Sequence, residues 1–246
     1  MMRVFLAFGA NDLKSVRRDS LLFSVLITPA LLVLALRLAV PPLTIFFQTR
    51  YGFDLQRYYP LVACFFLLLN IPLLLGIITG FLMLDERDDD TLTALRVTPT
   101  ALGGVIGYRL LTGFLLSTVA IMLTIPLSGL VVLQSAWQLL PATMVAALFA
   151  PVATLALVAF ARNKLEGFAL MKGAGLLLMG PIASLFVSGW AQYLFVILPT
   201  YWPLQALVAA LADKPSALYI SGGLLYNVVL MVLLYTQYRR QFAYGK

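Results

Sequence analysis

Histidine is absent from the 246 residues, and cysteine occurs once, at Cys64. Without imidazole there is no His-based general acid–base relay and no imidazole metal site. A lone cysteine inside the apolar run 61–69 has no partner for an intrachain disulfide. Charge is scarce as well: 11% of residues are charged and 62% are hydrophobic, against roughly 45–50% apolar in a soluble domain. With a mean hydropathy of +0.97, about half the chain needs a solvent other than water, which leaves a polytopic membrane protein as the class.

Carboxylates are missing from the apolar runs. The ten acidic residues are Asp12, Asp19, Asp54, Asp85, Glu86, Asp88, Asp89, Asp90, Glu166 and Asp213, and all fall outside the expected spans. Proton- or sodium-coupled carriers bind their coupling ion on a carboxylate at membrane depth, so transport by this chain would be driven from outside it. A Walker A loop is also missing, because the only Gly-Lys pair is Gly245-Lys246. The chain is therefore expected to be no enzyme, to have no catalytic or metal-binding residues and to hold no cofactor of its own. The net charge of +7 comes from Lys and Arg scattered between apolar segments, without the basic, aromatic-interleaved patch that nucleic acid requires.

What is present is apolar length. Six spans are expected, at about 21–39, 60–84, 107–132, 139–161, 168–188 and 216–235. Residues 40–59, with Pro41-Pro42, Arg50, Asp54 and Arg57, are expected to form a loop. Residues 189–215 are apolar but broken by Pro199 and Pro203, the pattern of a re-entrant or interfacial hairpin. Residues 3–18 gather Arg3, Asn11, Lys14, Arg17 and Arg18 on one helical arc and Val4, Phe5, Leu6, Phe8, Leu13 and Val16 on the other, so a helix lying flat against the lipid headgroups is expected. With six spans both termini share a side, and 13 of the 17 Lys and Arg fall on that side against 4 on the other. The positive-inside rule makes both termini cytoplasmic.

The stretch 85–100, DERDDDTLTALRVTPT, opens on carboxylates that suit the positive end of a short helix. Leu92 and Leu95 share a face and Pro99 stops the helix. An ordinary solvated turn needs no apolar stripe, so this element is expected to dock another protein. Within the spans, Asn70 and Lys172 are polar points on a possible path, Gly76 and Gly80 form a small-xxx-small pair that marks helix packing, and Gly222 and Gly223 also permit close packing.

Asp85, Glu86, Arg87 and Asp88 through Thr91-Leu92 to Leu95-Arg96-Val97-Thr98-Pro99 match the form E-x-x-x-x-T-L-x-x-L-x-V-T-P. This string resembles the glutamate-bearing loop and coupling helix of type-2 ABC exporter permeases. Arg162-Asn163-Lys164 with Glu166-Gly167, Ala169-Leu170-Met171-Lys172, and Leu198-Pro199-Thr200-Tyr201-Trp202-Pro203-Leu204 make the chain most similar to fluoroquinolone-export permease subunits. The resemblance implies an all-α domain over 1–246: a connecting helix at 1–19 carrying Arg3, Lys14, Arg17 and Arg18, a six-span bundle at 20–236 with a coupling helix at 85–99, and a cytoplasmic tail at 237–246. It implies an outer hairpin at 194–211, whose Tyr201 and Trp202 would lie where an amphipathic substrate leaves. It also implies a separate ABC ATP-binding subunit that holds ATP and Mg, a second identical or different permease chain, and residence among the lipids of a bacterial- or archaeal-type plasma membrane. The expected activity is export of a small amphipathic compound; a lipid or lipopeptide exporter, or a membrane scaffold that transports nothing, are the alternatives.

Overall fold

The computed structural model describes residues 12, 14–88, 102–131, 136–187, 189–212 and 214–244. Among them every regular element is helical. The described residues form nine α-helices in order: α1 (Ser20–Tyr51), α2 (Tyr59–Ala63), α3 (Asn70–Asp88), α4 (Leu102–Ser128), α5 (Ala136–Ala147), α6 (Phe149–Phe160), α7 (Lys164–Ala183), α8 (Tyr201–Leu211) and α9 (Ala217–Tyr244). Six helical stretches are long and apolar enough to cross a membrane: Leu22–Tyr51, Gln56–Asp88, Gly104–Ser128, Leu139–Phe160, Lys164–Ala183 and Ala217–Arg240.

Two of these stretches form the core. In Gln56–Asp88 and Leu139–Phe160, 67% and 78% of the apolar window is buried inside the protein, against 28% or less in the other four. α3 and α6 make the most extensive contact of the bundle, and the Gly76/Gly80 pair explains why. A Cβ on Gly76 would lie 2.9 Å from the Ala153 Cβ, and one on Gly80 would lie 2.7 Å from a Leu157 methyl. The backbones are close enough for the Thr154 hydroxyl to donate to the Gly76 carbonyl at 2.9 Å. Small residues thus do here what apolar solvent exclusion cannot do in lipid, bringing two helices into contact over their main chains.

The first span departs from expectation. Residues 40–51 are not a loop; α1 runs unbroken for 32 residues through Pro29, Pro41 and Pro42, a length of about 48 Å. Proline removes its own N–H and opposes the carbonyl four residues back, for this pair those of Arg37 and Leu38, yet the helix continues through both prolines. Thr44 beside the proline pair donates to the Val40 carbonyl at 2.8 Å and shares a 2.7 Å hydrogen bond with the Tyr59 hydroxyl. The second span begins as a 3-10 turn, Gln56–Tyr58, continues through α2 and a π-helical stretch, Cys64–Leu69, and straightens into α3. The fourth span breaks at Leu148, between α5 and α6, with Pro151 in the first turn of α6, where a missing N–H is harmless.

Between α7 and α9 lie a 3-10 segment, Trp190–Ile197, and α8. Eleven residues of α8 rise about 16 Å, short of the roughly 30 Å apolar core of a bilayer. Yet α8 is mostly buried, against α5, α7, α9 and the π-helical stretch. Trp202 wedges onto the Gly222/Gly223 pair: a Cβ on Gly223 would meet the Trp202 Cβ at 2.8 Å. The indole N–H donates to the Val196 carbonyl at 3.2 Å, and the Tyr226 hydroxyl donates to the Ile197 carbonyl.

Candidate functional site

At the end of the bundle that carries most of the Lys and Arg, four separate pieces of chain are tied together by charge. The second span does not stop at Leu84. α3 continues through Asp85, Glu86, Arg87 and Asp88, so these residues form the last turn of a long helix and not the opening of a short one. The correction has an electrostatic consequence: carboxylates at a helix C-terminus face the negative end of the dipole. They are held by cations from elsewhere.

Arg109, in the second turn of α4, is the first of these. Its side chain is 3% exposed, and one guanidinium nitrogen reaches both Glu86 at 2.5 Å and Asp12 at 3.0 Å. Asp12 belongs to the segment preceding α1, so one buried cation joins the N-terminal segment, α3 and α4. Burial pushes the Asp12 carboxyl above the usual carboxylate range, outweighing the opposing pull of Arg109. Tyr238 of α9, also buried, lies close enough to Glu86, Arg87 and Arg109 to feel their charges. Arg109 Nε and Nη1 and Glu86 Oε2 are buried without a partner among the described residues.

Lys164, the first residue of α7, is the second cation. Its ammonium contacts Asp19 at 2.7 Å and Asp85 at 3.0 Å, and its backbone N–H donates to Asp88 at 3.3 Å. Arg87 donates to the Ala161 carbonyl at 3.4 Å, so the turn between α6 and α7 is fastened to the end of α3 at three points. The local sequence builds that turn. Asn163 caps α7 by accepting the Glu166 N–H at 2.9 Å, and the Glu166 carboxylate reaches back to the Arg162 N–H at 2.7 Å, a variant of the reciprocal capping box. Gly167 follows because a Cβ there would stand 2.9 Å from Phe81 and Leu84. The string from Arg162 to Gly167 is thus a helix start shaped to meet α3.

The structure therefore joins Asp85 and Glu86 to the N-terminal segment through Lys164 and Arg109, and Arg87 and Asp88 to the turn between α6 and α7. Lys14, Arg17 and Arg18 are helical and exposed while Val16 between them is buried, as an amphipathic helix requires. Arg3, Thr91, Leu92, Leu95, Thr98 and Pro99 lie outside the described residues. Arg109 counted in the sequence only toward topology, and Lys164 only there and in the string that carries the resemblance; neither was read as an ion-pair partner. The signal that could have found them is an excess of carboxylates on the same side, at Asp12, Asp19, Asp85 and Glu86, too close to a bilayer to go unpaired.

The four candidate path residues do not converge. The Asn70 amide donates to the Phe65 carbonyl, at a long 3.5 Å, inside the π-helical stretch. Lys172 is exposed on α7, Tyr201 is buried, and Trp202 is committed to the glycine pair. A cavity of about 400 Å³ lies elsewhere, between α3, α6 and α7, with an almost wholly apolar lining.

Comparison with known proteins agrees with this architecture. The profile described as "Fluoroquinolones export permease protein Rv2686c-like" matches residues 12–235. The fluoroquinolones export permease proteins Rv2686c of Mycobacterium tuberculosis strain ATCC 25618 / H37Rv and MT2760 of strain CDC 1551 / Oshkosh are each 36% identical to it over 242 residues, covering 98% of this chain and 96% of theirs. No solved structure matches the chain. A match over that length, on a six-span helical bundle, places this multi-pass membrane protein in the Rv2686c-like fluoroquinolone export permease family.

Proposed function

We propose that the chain is the transmembrane subunit of an ATP-driven ABC exporter that moves a small amphipathic compound, of the fluoroquinolone kind named for its relatives, out of the cell. The observation that carries the mechanism is the charged clasp. Asp12 and Asp19 before α1, Asp85 and Glu86 at the end of α3, Arg109 of α4 and Lys164 of α7 meet at one end of the bundle, so a push delivered there is shared by α1, α3, α4 and α7 at once. In this reading that end is cytoplasmic, residues 89–99 receive the push from a separate ATP-binding subunit carrying ATP and Mg, and a second permease chain completes the pathway. The hairpin formed by Trp190–Ile197 and α8 enters the bilayer from the outer side.

The clasp favours this reading over a passive scaffold, which has no need of a buried ion pair linking three segments. The relatives' names favour a drug over a lipid or lipopeptide. The deciding experiment reconstitutes the chain with its co-purifying partners in proteoliposomes. Export should require ATP and persist when an ionophore collapses the proton gradient, and Leu92→Asp with Leu95→Asp should uncouple hydrolysis from export. Gradient-driven transport without nucleotide, or purification without any Walker-motif partner, would overturn it.

A further inference from the structure

The cavity between α3, α6 and α7 cannot be left unfilled. Its volume is about 400 Å³, and Leu73 and Ile77 of α3, Ala156 and Phe160 of α6, and Leu170 and Leu177 of α7 are among the side chains around it. Water is a poor occupant, since a bound water needs two to four polar partners and the lining is almost wholly carbon. An empty space of this size would forfeit dispersion contacts along three helices. The groove is open sideways, where Phe160 and Leu170 are 59% and 43% exposed, and what lies sideways of a membrane-spanning helix is lipid.

Depth and length identify which part of the lipid. The groove follows α6 from Phe149, at mid-span, to Phe160, two residues before the exposed Arg162 of the clasp-side turn. Eleven residue steps rise about 16 Å, close to the 15 Å or so of one leaflet of hydrocarbon. Pro199 of the hairpin closes the deep end. Lys172 contributes nothing, because helical phase puts it on the face of α7 opposite Leu170, Ala174 and Leu177. We infer that the groove holds one acyl chain of a phospholipid from the leaflet on the clasp side, as a resident wedge that keeps α7 apart from α3 and α6. An apolar slot without polar groups suits a hydrocarbon chain better than a drug, whose heteroatoms would go unpaired there.

The test uses a phospholipid with a diazirine on its acyl chain. The full chain is reconstituted in bilayers containing it and irradiated either there or after dilution into lipid-free detergent, and the adducts are mapped by mass spectrometry. In the bilayer, adducts are expected both on the groove and around Leu34, which is 55% exposed on α1. After dilution the groove adducts on α6 and α7 should persist while those at Leu34 are lost. Gly173→Trp should remove the retained adducts and leave the bilayer adducts at Leu34, since Gly173 lines the groove and a Cβ there meets nothing within 4 Å. If that variant does not fold, Ala156→Leu serves instead. Equal loss at both places on dilution, or retained adducts in a folded groove-filled variant, would overturn the assignment. Displacement of the adducts by an excess of a fluoroquinolone would overturn it too, by making the slot a substrate site.

Discussion

The two ends of the bundle are held by different physics. At the clasp end, Arg109 and Lys164 each bridge two carboxylates contributed by distant parts of the chain. At the end that carries Trp190–Ile197 and α8 the fastening is by shape: Trp202 sits on Gly222 and Gly223, Thr200 donates to the Leu177 carbonyl at 2.6 Å, and no ion pair joins these elements among the described residues. Charge pairs are directional and fail as a unit when one partner is removed. Apolar packing gives way gradually, side chain by side chain. Under the proposed function, an end that receives force has reason to be stiff and an end that releases an amphipathic molecule has reason to yield.

Breaking the buried pair should give the largest effect. Arg109→Met leaves Asp12 and Glu86 facing each other with no counter-charge, a change of about 3–5 kcal/mol for a buried pair that loses one member. The readout is built into the chain, because Cys64 is the sole cysteine and is fully buried. A thiol-reactive dye should report a lower transition temperature for the variant in detergent. Adding Asp12→Asn and Glu86→Gln to Arg109→Met should recover much of the loss, since three neutral groups cost less to bury than two carboxylates without a counter-charge. Failure of the triple variant to recover would mean that Arg109 acts through packing alone.

At the other end, Gly223→Ala should cost about 1–3 kcal/mol, the usual price of overpacking. The added methyl would stand 2.5 Å from Val145 and 2.8 Å from the Trp202 Cβ. The contrast lies in the partner variant. Combining Gly223→Ala with Trp202→Leu should relieve part of the strain, and the two changes should be non-additive in a double-mutant cycle on the same dye assay. Additivity would mean that the wedge is not what the glycine pair accommodates.

The apolar skeleton was legible in the sequence because lipid imposes a length on each span, and each expected span overlaps an observed one. Gly76/Gly80 and Gly222/Gly223 were legible as packing sites because only small residues allow such approach. The extension of α1 through Pro41-Pro42 was not, since proline's local cost dominates a reading of residues 40–51, while the contact that ties this part of α1 to the next span, Thr44 to Tyr59 fifteen residues on, lies outside it. The last turn of α3 was misread for a related reason. A run of acids resembles a helix start when only the dipole is weighed, and the cations that reverse the balance lie 23 and 79 residues further on, at Arg109 and Lys164.

The smallest expected effect separates the two cations of the clasp. The Lys164 side chain is 29% exposed and those of its partners Asp19 and Asp85 are 26% and 34% exposed, so water and salt screen this pair as they do not screen Arg109. Lys164→Met should therefore cost only about 0.2–1 kcal/mol, the range for solvent-reached pairs. The ionic-strength response tells the two apart more cleanly than the magnitude. Raising salt from 0.1 to about 1 M shortens the screening length from about 10 to about 3 Å, and this should bring the wild-type protein toward the transition temperature of Lys164→Met while leaving the gap to Arg109→Met open. If instead the Arg109 gap closes with salt, that cation is wetter than its 3% exposure indicates, and the contrast between a rigid charged end and a yielding apolar end would have to be redrawn.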